Sequence, residues 1–99
     1  MNRADVAREL SAVKDPEIGL DIVSLGLVYG ITVEEGALTL ELALTSPDCP
    51  MGDLIASMAA SRLAPLVRGT DVRIHIVEDP AWNVAMVDAE GRRALGLPP

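Results

Sequence analysis

Ninety-nine residues with one cysteine, one histidine, one tryptophan, one tyrosine and no phenylalanine leave few side chains able to carry chemistry. A lone cysteine excludes an internal disulfide, and a free thiol persists best in a reducing compartment. The lack of C-x-x-C, of H-x-x-x-H and of a second cysteine argues against a closed mononuclear zinc site as well. Basic residues are scarce too: 8 Lys+Arg stand against 15 Asp+Glu, a net charge of −7. Such a surface repels phosphate backbones and anionic lipid heads, which argues against nucleic acid and membrane surfaces as partners. The N-terminal residues Met1-Asn2-Arg3-Ala4-Asp5 carry an acid and lead into no long apolar run. Neither a signal peptide nor a membrane span is expected, and the cytoplasm is the expected location.

What is present is an ordinary hydrophobic fraction of 49%, supplied by Leu, Val, Ile, Ala and Met. A chain of this length buries roughly 60–70% of its unfolded surface, enough for one core, so residues 1–99 are expected to form a single domain. Asn2 as N-cap, Asp5 in the first turn and Val6, Leu10 and Val13 at helical spacing predict a helix over about residues 3–13, stopped by Asp15-Pro16. Leu27, Tyr29, Ile31 and Val33 alternate with smaller or polar residues as in a half-buried strand. Glu35-Gly36 supplies a turn, and Leu38, Leu40, Leu42 and Leu44 give a second strand with one leucine face, completing a hairpin. A stripe from Met51 through Leu54, Ile55, Met58 and Leu63 to Val67 predicts a helix over about residues 50–67, closed by Gly69. Val72, Ile74 and Ile76 predict a third strand, and Asp88, Arg92, Arg93 and Gly96 frame a short last helix. The fold class is therefore α+β: a two-layer sandwich of a three-stranded sheet and helices in the order α-β-β-α-β-α.

Three places could carry chemistry. In Thr45-Ser46-Pro47-Asp48-Cys49-Pro50, Cys49 falls at an N-cap position and Pro50 at the first helical position. Helix-start N–H groups favour thiolate over thiol, the form that binds metal, whereas the neighbouring Asp48 carboxylate acts in the opposite direction. A plain alternative is a small apolar plug at a helix start. Asp15-Pro16-Glu17 offers two carboxylates, either of which could face Cys49 or simply cap a turn. Trp82, in Asp79-Pro80-Ala81-Trp82-Asn83, is either a residue at the rim of the core or part of a site. His75 lies on the strand face opposite Val72, Ile74 and Ile76, so it reads as solvated rather than as a base for Cys49. Met51, Met58 and Met86 read as core filling rather than soft-metal ligands.

Asp15-Pro16-Glu17-Ile18-Gly19, Asp21 to Tyr29, Thr45 to Pro50 and Asp79-Pro80-Ala81-Trp82 together, in this order, resemble the SufT-like and PaaD-like family of iron-sulfur assembly proteins, also called metal-sulfur cluster biosynthetic proteins. The resemblance covers nearly the whole chain and implies the small α/β iron-sulfur-assembly fold. It implies an accessory role in maturing clusters or handing them to clients, more a non-enzymatic factor than an enzyme. Cys49 would be the functional thiol and metal ligand, and Asp15, Glu17, Thr45 and Trp82 the pocket around it, with Thr45 and Glu17 as hydrogen-bond donor and acceptor. Two positions depart from the family pattern: Asp48 where a small residue commonly precedes the cysteine, and Ala81 where a second proline is common. Clusters are usually held by four protein thiolates, and one chain offers one. The resemblance therefore implies a transient cluster or iron and no permanent cofactor, the remaining ligands coming from a homodimer, from assembly machinery, from a client or from a small thiol. Within the family, the PaaD-like branch would instead serve an oxygenase that degrades aromatic acids. A third reading is an adaptor that binds clients through its acidic surface and the Trp82 loop while Cys49 carries nothing.

Overall fold

The computed structural model describes residues 2–45, 52–67 and 71–98. Along the chain run α1 (Arg3–Leu10), β1 (Val28–Glu34), β2 (Ala37–Leu42), α2 (Gly52–Val67), β3 (Asp71–Ile76), a 3-10 turn at Val84–Met86 and α3 (Ala89–Leu95). This is the α-β-β-α-β-α order that the periodicity predicts. The Asn2 side chain accepts the Asp5 N–H at 2.9 Å and so starts α1, which buries Val6 and Leu10. The helix ends earlier than Val13 because Ala12 and Val13 bond to carbonyls three residues back, at Glu9 and Leu10, tightening the chain into a turn. Val13 nevertheless remains buried.

The sheet order is β1-β2-β3. β1 and β2 form an antiparallel hairpin, and Gly36 at φ 80° takes the left-handed conformation its turn needs. β3 lies parallel to β2, joined to it through α2. Leu38, Leu40 and Leu42 are fully buried and stand level with Val72, Ile74 and Ile76 on β3. At about 1.5–3 kcal/mol for each fully buried leucine, this row anchors the core. Helix α2 covers the same face through Ile55, Ala59, Leu63 and Val67, and α1 packs on α2 and β1. Pro65 sits in the last turn of α2, where it has no N–H to give the Ser61 carbonyl one turn back. The expected stop at Gly69 lies outside the described residues.

Two details differ from the alternation. The register slips between Val28 and Gly30, so Val28 stands opposite Leu42 and Gly30 opposite Glu41, leaving Tyr29 as the extra residue of a β-bulge. β2 also stops at Leu42 rather than running on to Leu44: the bond from the Ala43 N–H to the Leu27 carbonyl is the last rung of its ladder with β1.

Candidate functional site

The chain after β3 folds back over the loop that precedes β1. Trp82 donates its indole N–H to the Leu25 carbonyl at 2.6 Å, and the Tyr29 hydroxyl donates to the Pro80 carbonyl at 2.7 Å, with Met86 Sδ 3.3 Å away. The Asp88 N–H bonds to the Ser24 carbonyl at 2.9 Å. Gly26, at φ 78°, lies so close to the Met86 backbone that a Cβ would have no room. Arg92 fixes the far side of this strap. Its guanidinium donates to the carbonyls of Val87, Pro98, Val84 and Ala85 at 3.0–3.3 Å, using the planar fork that lysine lacks. Asp88 caps α3 through the Gly91 N–H.

The strap and the sheet enclose a cavity of about 50 Å³ lined, among the described residues, by Leu44, Thr45, Ile76, Val77, Glu78, Ala81 and Trp82. A space of this size, with these described walls, has room for a few waters or the tip of a side chain. Its described walls are mainly apolar, with the Thr45 hydroxyl and the exposed Glu78 as polar exceptions. No cation is among these residues. Gly52, at the start of α2, is in turn so close to Leu44 that an added Cβ would lie 2.8 Å from its Cδ1. That contact holds together the strand end and helix start flanking segment 46–51.

The sequence-predicted residues therefore separate. Thr45 and Trp82 share one cavity. Trp82 is half-buried against the core, as the rim reading expects, and also lines that cavity. Asp15 is buried in a turn, where its carboxylate accepts the Glu17 N–H at 2.9 Å and its carbonyl takes N–H groups from Ile18 and Gly19. Glu17 is exposed, and neither acid is among the described cavity residues. Cys49 with its expected N-cap position, Asp48, Pro50 and Met51 lie outside the described residues. His75 is exposed beside Glu41 of β2. Met58 packs on the core, whereas Met86 faces the Tyr29 hydroxyl, so it does more than fill space. Leu44, Ile76, Val77 and Ala81 were not anticipated as cavity walls, although the apolar Ile76-Val77 at the end of a strand was a usable signal. Among the described residues no group of three His, Cys, Asp or Glu side chains is placed to hold a metal ion.

Residues 3–76 match the model of the iron-sulfur cluster assembly protein family. The chain belongs to that family. Similar relatives include the Fe-S protein maturation auxiliary factor SufT of Staphylococcus aureus, 42% identical over 86 residues that span 86% of this chain and 98% of the relative. The Fe-S protein maturation auxiliary factor YitW of Bacillus subtilis is 36% identical over 96 residues, 96% of this chain and 94% of the relative. In structure, the chain resembles a crystallised domain of unknown function from Bacillus anthracis with a TM-score of 0.88 at 33% identity, over 96% of this chain and 92% of the other. The family match ends at Ile76, so the strap that carries Trp82 lies beyond the matched segment.

Proposed function

We propose that this member of the iron-sulfur cluster assembly family is an accessory factor that helps assemble clusters or transfer them to client proteins, with Cys49 as the thiolate that takes the metal. The observation that carries this reading is the near full-length similarity to maturation auxiliary factors, which runs through the Thr45-to-Pro50 segment. Support from geometry is that Leu44 against Gly52 fixes both flanks of segment 46–51, while Thr45 and Trp82 form adjoining cavity wall. Because one thiolate cannot hold a cluster alone, the cargo is shared with ligands from elsewhere and is exchangeable, as transfer requires. Asp15 and Glu17 contribute as an ordered turn outside the cavity wall. Because one chain supplies one thiolate and a cluster usually takes four, the other ligands come from a second Cys49 in a homodimer, from the assembly machinery, from a client or from a small thiol. A reducing cytoplasm keeps the thiol available. Among the described residues no helix is long and apolar enough to cross a membrane.

Anaerobic reconstitution with iron and sulfide tests the reading, followed by visible absorption and native mass for the parent and for Cys49→Ala. The parent is expected to take up a cluster and pass it to an apo-ferredoxin, and the variant to do neither. Equal cluster transfer by both chains would sink the assignment to Cys49.

A further inference from the structure

In β3, the Asp71 N–H bonds to the Gly36 carbonyl and the Val77 N–H to the Leu42 carbonyl. Successive backbone groups of a strand alternate sides, so residues 71, 73, 75 and 77 face β2, whereas Val72, Ile74 and Ile76 aim their N–H and C=O groups away from the sheet. Among the described residues nothing pairs with these three, and β3 is a sheet edge. Such an edge is a template for another extended chain. Its inward side chains are aliphatic, Ile76 is 45% exposed, and Ile76 and Val77 run directly into the apolar cavity beside Trp82. The far end of the edge is acidic and exposed through Glu78 and Asp79, whereas the near end, Asp71, has a basic neighbour in the strand itself. Arg73 within the strand is already directed to Asp71 at 3.7 Å.

We infer that the free edge of β3 is a docking site for an extended segment of a partner protein, aliphatic at alternate positions and basic where it meets Glu78 and Asp79, which adds to the sheet as a fourth strand. The outward N–H and C=O groups of Val72, Ile74 and Ile76 supply the main-chain bonds, and the cavity at the end of the edge takes the tip of one aliphatic side chain. Charge selects this occupant over a second copy. Antiparallel self-pairing about Ile74 places Asp71 of one chain opposite Val77 of the other, next to Glu78 and Asp79, and brings together two chains of −7 each. Client recognition by this edge rests on the assembly reading; the edge as a strand acceptor does not.

The probe is the acetylated, amidated peptide Lys-Arg-Val-Thr-Val-Thr-Val-Arg-Lys, added to the full chain while amide hydrogen exchange is followed by NMR. At a free concentration ten times Kd, exchange at Val72, Ile74 and Ile76 slows about tenfold, whereas Arg73 and His75, already bonded to β2, change little. The same peptide with Glu at each basic position gives no protection, and Ile76→Lys weakens binding by about fivefold or more. Cys49→Ala retains full protection, which separates failure of this inference from failure of the thiol assignment. No slowing at the three amides, or equal slowing with the acidic peptide, overturns the proposal. So does protection of the same amides in the protein alone that rises with concentration alongside a doubled native mass, since the edge then belongs to a second copy.

Discussion

Trp82 and Tyr29, the only two aromatic residues, are both used to hold the strap rather than to fill the sheet interior. Trp82 could be singled out from the sequence by its rarity and its position after Asp79-Pro80. The role of Tyr29 could not, because its hydroxyl partner lies 51 residues further on and strand alternation says nothing about so distant a carbonyl. Asp15 was likewise visible as a polar residue at a helix end, but the carboxylate is spent on the Glu17 N–H, a local bond that any sequence of this type could make. Family likeness grouped Thr45 with Asp15, Glu17 and Trp82, and of these only Thr45 and Trp82 line one cavity among the described residues. Changing Tyr29 to Phe removes one hydroxyl and leaves the Pro80 carbonyl to water. Urea unfolding is expected to show a loss of about 0.5–1.5 kcal/mol, with the slope of the transition unchanged.

The elements themselves were legible where period and end signals agree. α1 begins on Asn2 and α3 is capped by Asp88 as the side-chain chemistry requires. β1 was less legible. A bulge is a register choice made between two strands, and the run Leu27, Tyr29, Ile31, Val33 reads as unbroken alternation until β2 pairs with it. For α3, Arg92 and Arg93 both suit a helix C-terminus, yet only Arg92 gathers four backbone carbonyls. Arg92→Lys keeps the charge and loses the fork, so a destabilisation of about 1–3 kcal/mol is expected by urea unfolding, whereas Arg93→Lys is expected to lie within about 0.5 kcal/mol of the parent.

Across the whole molecule, the family match and the fold do not end together. The match stops at Ile76, but Val87 is part of the core and Trp82 packs on it, while the strap closes over Leu25 and Gly26. A chain ending at Ile76 would leave Leu25 and the cavity side of β3 open to water and is expected to lose its cooperative urea transition. A sharp transition in that shortened chain would show the strap to be dispensable for folding. The cavity wall also has an optical meaning. Trp82 is the only indole in the protein, so emission excited selectively from tryptophan comes from one known place. Iron-sulfur chromophores absorb broadly through the near ultraviolet, and one seated at the cavity mouth would dim that emission by energy transfer. On the function proposed above, that emission would serve as a gauge of loading, read without label or substitution.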